Sequence, residues 1–183
     1  MAKRVIVPIA NGFEEIEAVV VIDILRRAGL EVVVAGVEGA DVFGSHDIAL
    51  RCDTIIDKCD GADAIVLPGG MPGSRRLREN ESVRALVTQH NQEGKLVAAI
   101  CAAPTVLESC GILDGRRATS HPDHAAEMKR CIYETSDVVV DGNVITSRGA
   151  GTAIAFAAEV VRHLVDDATA NDILKKIQYR PDS

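Results

Sequence analysis

Short apolar runs alternate with segments of helical periodicity from one end of the chain to the other. Val5-Ile6-Val7-Pro8-Ile9 reads as a buried strand. Residues 14–28 place apolar side chains at Ile16, Val20, Ile24 and at Val21, Leu25, Ala28, the spacing of a helix that Gly29 closes. Residues 31–35 form the next strand. The Gly- and Asp-rich stretch 36–60 suits a small hairpin excursion. Ala64-Ile65-Val66-Leu67 is a wholly apolar strand that ends in Pro68-Gly69-Gly70. Val83, Leu86, Val87 and His90 make a helical stripe stopped by Gly94, and residues 96–100 form a further strand running into Cys101 and a helix-like 104–108. Residues 138–146 read as a hairpin with Asp141-Gly142 at its turn. Residues 151–165 form an Ala-rich helix, and 168–177 a last short one.

Strands apolar on both faces and separated by helices predict a mainly parallel sheet covered on both sides. With right-handed crossovers this is a three-layer α/β/α sandwich of the flavodoxin-like type, one domain over residues 1–183. Ligands in such sheets sit at the carboxyl ends of the strands. The ends that matter are then Asn11-Gly12, Pro68-Gly69-Gly70 and Cys101.

Cys101 is the sharpest chemical feature. It stands where a buried strand meets a helix start, flanked by the small residues Ala99, Ala102 and Ala103. That is the thiol counterpart of a nucleophile elbow. The free N–H groups and dipole of a helix start would stabilise a thiolate. The bland alternative is a small buried core cysteine. Glu14, Glu15 and Glu17 crowd the first turn of the first helix. Ordinary dipole complementarity explains solvated acids there. One of them, Glu17, is the candidate to turn inward, face Cys101 and stay protonated. Gly69-Gly70 is either a plain turn or the source of a backbone donor that, with the N–H of Ala102, would form an oxyanion hole. His121, in Thr119-Ser120-His121-Pro122, is an exposed loop residue or a base for Cys101. His46, His90, His124 and His163 read as surface residues, and Arg75-Arg76-Leu77-Arg78-Glu79 as a solvated helix face.

Composition narrows the field. A net charge of −7 argues against a basic nucleic-acid surface. Aromatic residues make up 3% of the chain, with no Trp, so base-stacking platforms are poorly supported. No apolar stretch reaches the length of a membrane span, and Met-Ala-Lys-Arg-Val-Ile-Val does not look like a secretion signal, so a cytoplasmic protein is expected. The five cysteines are odd in number and widely spaced, which argues against a disulfide framework. There is no Cys-x-x-Cys, no phosphate loop and no Gly-x-Gly-x-x-Gly. A metal held by His121, His124 and Cys131 is conceivable, though nothing in their spacing demands it.

Taken together these residues resemble the ThiJ/PfpI superfamily, and within it the Parkinson-disease-protein (deglycase, glyoxalase III-like) branch. The resemblance covers nearly the whole chain. It is carried by residues 11–17 (Asn-Gly-Phe-Glu-Glu-Ile-Glu), 66–70 (Val-Leu-Pro-Gly-Gly), 98–105 (Ala-Ala-Ile-Cys-Ala-Ala-Pro-Thr), 119–122 (Thr-Ser-His-Pro) and 146–152 (Thr-Ser-Arg-Gly-Ala-Gly-Thr). It implies a reactive, oxidisable Cys101, a protonated carboxyl partner at Glu17, a nearby His121, backbone donors at Gly70 and Ala102, and a homodimer. It also implies cofactor-free conversion of methylglyoxal to lactate, removal of glyoxal adducts from amines and thiols, chaperone action and oxidative-stress protection. The protease-like branch has His directly after the cysteine, where this chain has Ala102. Glutamine amidotransferases use Gly-x-Cys-x-Gly, where this chain has Ala-Ile-Cys-Ala-Ala. Ala150 stands where close relatives often carry Pro, and His46 where they tend to place an Arg near the dimer-side anion site. Two functions follow: a dicarbonyl enzyme, or a redox-sensing stress protein or chaperone using the same thiol. A cysteine hydrolase lacks its expected motif.

Overall fold

The computed structural model describes residues 2–180. The chain runs β1 (Arg4–Ile9), α1 (Glu15–Arg27), β2 (Glu31–Gly36), β3 (Asp41–Phe43), β4 (Ala49–Arg51), β5 (Thr54–Ile55), β6 (Ala64–Leu67), α2 (Gly73–Glu79), α3 (Glu81–Gln92), β7 (Leu96–Ile100), α4 (Pro104–Ser109), β8 (Arg117–Ala118), β9 (Ile132–Tyr133), β10 (Val138–Asp141), β11 (Val144–Ser147), α5 (Ala153–Leu164) and α6 (Asp167–Lys176). Short 3-10 turns lie at Ile56–Lys58, Pro122–Glu127 and Ala150–Thr152.

The central sheet has the order β10-β11-β7-β6-β1-β2-β5. All its pairs are parallel except β10 with β11, so the flavodoxin-like α/β/α reading holds. The alternation of side chains along β1 divides the core. Val5, Val7 and Ile9 pack with α1, α5 and α6, while Ile6 packs with Leu77 of α2, Val83 and Val87 of α3, and Val106 of α4. Burial on both faces is why the strands read as unbroken apolar runs.

Local chemistry sets the ends of the helices. The Glu14 carboxylate caps α1 by accepting the N–H of Glu17 at 2.7 Å. Asn80 caps α3 by accepting from Val83 at 2.9 Å, and Asp166 caps α6 by accepting from Thr169 at 2.7 Å. Gly142 takes a φ of +59° at the β10–β11 turn, where a side chain would be strained.

The excursion after β2 is the β3–β4 hairpin, as the sequence suggests. Its return through β5, which joins the main sheet beside β2, is not visible in the pattern because only two residues pair. One surface assignment fails. His90 is buried on the core side of α3, with Nδ1 against the Leu86 carbonyl at 2.7 Å. Its helical spacing with Val83 and Val87 already placed it on that face.

Strand β2 lies on one side of β1 and β6 on the other. The sheet therefore has its topological switch at the carboxyl ends of β1 and β6, where a crevice opens. Glu17 follows β1, Gly69 and Gly70 follow β6, and Cys101 follows β7 next door.

Candidate active site

Three connections meet at this crevice. The N–H of Glu14 donates to the Gly69 carbonyl at 2.9 Å, tying the start of α1 to the end of β6. The N–H of Gly69 donates to Glu17 Oε2, also at 2.9 Å. Glu17 is thus turned inward and is fully buried, its neighbour Glu14 having taken the capping role.

Cys101 sits on the elbow with a φ of +66°. For a residue other than glycine this conformation costs about 1–3 kcal/mol and needs outside support. Its N–H donates to the Ser147 carbonyl at 3.0 Å, and its carbonyl accepts from the His121 N–H at 2.8 Å. The elbow is therefore clamped between β11 and the His121 loop. Cys101 Cβ and Glu17 Oε2 each lie 2.5 Å from where a Cβ on Gly69 would stand, so thiol and carboxyl are neighbours, and the backbone of Gly70 and Ala102 also acts on the thiol.

Burial is the largest influence on both groups. It lifts the Glu17 carboxyl to about 7, against the opposing pull of the Cys101 thiol and the Gly69 N–H. Burial, with the Glu17 charge beside it, pushes the Cys101 thiol up to about 12 despite the Gly70 and Ala102 amides. The backbone amides act in the expected direction, toward the thiolate, and burial beside Glu17 outweighs them. α4 begins three residues later, at Pro104. The thiol and carboxyl titrate as a pair, which holds two protons below about pH 7 and one above it. A thiolate arises when that proton sits on Glu17.

The chain belongs to the DJ-1/PfpI family. The family model matches residues 3–163. Protein dj-1beta of Drosophila melanogaster is 39% identical over 180 residues, covering 96% of each chain. Deglycase PH1704 of Pyrococcus horikoshii is 37% identical over 159 residues, covering 85% of this chain and 95% of its own. The solved structure of oxidized Toxoplasma gondii DJ-1 superposes with a TM-score of 0.94 at 38% identity, covering 97% of this chain and 99% of that one.

Within this DJ-1/PfpI site the glycines have separate tasks. The sequence offers Gly69 beside Gly70 as a donor to a bound oxygen, but the Gly69 N–H is engaged by Glu17. A Cβ on Gly69 would lie 2.5 Å from both Cys101 Cβ and Glu17 Oε2, so any side chain there would separate the pair. Gly149 is different. A Cβ there would lie 3.5 Å from His121 Cδ2 and 3.9 Å from Glu17 Oε1. Gly149 therefore leaves open a space bordered by His121 and Glu17. Glu17 Oε1 is buried and has no hydrogen-bond partner. His121 itself is part-exposed, its Nδ1 accepting from the Asp123 N–H at 3.3 Å.

Sequence reasoning missed a second buried acid. Glu15 Oε1 accepts the His46 N–H at 2.6 Å, and Oε2 meets His46 Nδ1 at 2.9 Å and the Ser45 hydroxyl at 3.2 Å. Burial raises this carboxyl, but the bonds from His46 and Ser45 outweigh it and hold it down to about 2. The Glu15 carboxylate in turn raises the pKa of His46. Only the excess of acids at 14–17 hinted at this clamp on the β3–β4 hairpin. Among the described residues, Glu14, Glu15 and His46 are the one trio whose ligand atoms lie within 4.8 Å of each other. Both Glu15 oxygens are already engaged there. His121, His124 and Cys131 form no such group.

Proposed function

We propose that this protein is a cofactor-independent, glyoxalase- and deglycase-like enzyme acting on methylglyoxal and related 2-oxoaldehydes or their adducts with amines and thiols. The observation that carries the reading is the fully buried Glu17 carboxyl beside the part-buried Cys101, with the Gly70 and Ala102 backbone acting on the thiol. Deglycase PH1704, a relative by sequence, bears a name consistent with it.

The thiolate of Cys101 attacks the aldehyde carbon, forming a C–S bond, and the oxygen takes the proton from Glu17. The Glu17 carboxylate then removes the proton from that carbon and returns it to the neighbouring carbon through an enediol. A thioester of a 2-hydroxy acid results. Water cleaves it, with His121 as base, and releases lactate and the thiol. The N–H groups of Gly70 and Ala102 steady the negative charge during attack. The space above Gly149 accommodates the substrate's second carbon beside Glu17 Oε1.

The enzyme is read as a cytoplasmic homodimer of one-domain chains. Ile16 and Val19 of α1, with Phe43 and Ile48 of the hairpin, are each about half exposed or more and form the apolar surface for that contact. Among the described residues no helix is long and apolar enough to cross a membrane.

A second reading rests on the part-exposed sulfur. Peroxide would oxidise the thiolate to sulfenate and a second equivalent to sulfinate, with protonated Glu17 donating to the product as in a redox-sensing stress protein or chaperone.

Lactate formation from methylglyoxal by metal-free protein tests the choice. Turnover in the wild type, lost in both Cys101→Ser and Glu17→Gln, is expected. No wild-type turnover, with Cys101 still oxidised faster than the other cysteines, would move the assignment to the redox protein.

A further inference from the structure

The turn that carries Gly149 is loose by composition and fixed by hydroxyl groups. Gly149-Ala150-Gly151 lies between β11 and α5, and its two glycines leave the backbone many conformations to choose from. Ser147, at the end of β11, is fully buried. Its Oγ lies 2.6 Å from the Asp137 carbonyl and 2.7 Å from Thr152 Oγ1. Thr152 Oγ1 lies 2.9 Å from the Gly149 carbonyl and accepts the Gly149 N–H at 3.2 Å.

Proton count gives these bonds a direction. Two hydroxyl protons serve three oxygen–oxygen contacts. The Gly149 carbonyl already accepts the Thr152 N–H at 2.9 Å, so it is the acceptor that needs no hydroxyl. Ser147 therefore donates to the Asp137 carbonyl, and Thr152 donates to Ser147. A one-way series of bonds runs from the Gly149 N–H through Thr152 and Ser147 to Asp137, the residue before β10. Thr152 is its pivot. It grips Gly149 by both the N–H and the carbonyl and fastens the turn to a buried side chain of the sheet. Ser147 also holds the nucleophile's elbow, because its carbonyl accepts the Cys101 N–H at 3.0 Å.

The place of Gly149 matters because of what it faces. A Cβ there would stand in ordinary contact with His121 Cδ2 at 3.5 Å and Glu17 Oε1 at 3.9 Å. The backbone of the turn is thus one wall of the room beside the unpartnered oxygen of Glu17. On the proposed path the substrate's second carbon enters that room, and its substituent meets the wall.

We infer that Thr152 is a specificity-determining residue, holding the Gly149 wall so that a 2-oxoaldehyde with a small substituent on its second carbon is favoured over one with a bulky substituent. The inference deepens the dicarbonyl reading and rests on it for the substrates. Thr152 acts through Gly149 and makes or breaks no bond of the substrate, so it is a positioning residue. Its loss relaxes selection and leaves the chemistry of Cys101 and Glu17 in place.

The test compares kcat/KM for methylglyoxal and phenylglyoxal in the wild type, in Thr152→Val, which loses the hydroxyl, and in Thr152→Ser, which keeps it. The ratio of the two values cancels the fraction of protein that is folded, so a general loss of stability does not move it. The wild type should favour methylglyoxal. Thr152→Val should weaken that preference about tenfold, the weight of one well-placed hydrogen bond, and Thr152→Ser should keep it within about twofold. No preference in the wild type, an unchanged ratio in Thr152→Val, or an equal loss in Thr152→Ser would overturn the assignment. Alkylation of Cys101 by iodoacetamide and by the bulkier N-phenyliodoacetamide, with the other cysteines replaced by serine, reads the same wall without turnover. The rate advantage of the small reagent should shrink in Thr152→Val and persist in Thr152→Ser, and equal ratios in all three proteins would overturn the wall. A wild type that turns over neither aldehyde would remove the dicarbonyl reading, while the alkylation ratios still decide the role of Thr152.

Discussion

At the scale of residues, burial raises both the carboxyl and the thiol of the proposed site, so that the two titrate as a pair. Gly69 makes that contact possible, because its missing side chain is the space through which Glu17 and Cys101 approach. Gly69→Ala should abolish turnover and destabilise the fold by about 1–3 kcal/mol, the cost of overpacking, as read by thermal melting and activity. A variant with wild-type activity would show that the pair need not touch. The inward turn of one acid is legible in the sequence, since Glu14, Glu15 and Glu17 outnumber what one helix cap needs. Which backbone groups meet which atom is not legible, because Gly69 and Gly70 are identical in composition and differ only in where the turn aims them. The rise of the Cys101 thiol is hidden for a related reason: it comes from burial beside a charge that lies 84 positions away in the chain.

At the scale of elements, the strands and long helices are legible because their apolar spacing is set by burial on two faces. The short pieces are not. β5 pairs two residues, and β8 with β9 another two, so each is fixed by tertiary position alone. The β3–β4 hairpin is held to α1 by Glu15, and this clamp has a pH signature. Glu15 is held well below its ordinary value, so it contributes stability that is present above about pH 4.5 and lost as pH falls through about 2. Chemical denaturation should show the wild type more stable than Glu15→Gln at pH 6, with the gap closing as the pH falls below 4.5. Glu17 works in the opposite sense. Its raised value favours the fold below about pH 4.5, and that contribution is lost as pH rises through about 7. Glu17→Gln should therefore gain on the wild type across that interval. A pH-independent difference in either variant would contradict the assignment.

At the scale of the whole molecule, exposed apolar side chains lie on α1 and on the β3–β4 hairpin, which Glu15 ties together. The first helix announces its outer stripe in sequence: Ile16 belongs to the apolar repeat, yet it is 55% exposed. Ile16, Val19, Phe43 and Ile48 are each about half exposed or more, which supports the proposed dimer contact. Val19→Lys should convert a dimer to a monomer in sedimentation velocity while leaving the monomer folded. A wild type that sediments as a monomer would remove this surface from the account.

The account turns on the shared proton, and the pH dependence of Cys101 alkylation measures it most directly, in protein whose other cysteines have been replaced by serine. The wild-type rate should rise through an inflection near 7, where the pair loses its first proton. Glu17→Gln should show no inflection there and should react only above the ordinary thiol value of about 8.5. Superimposable profiles for the two proteins, with a single inflection near 8.5, would contradict the coupling of Cys101 to Glu17.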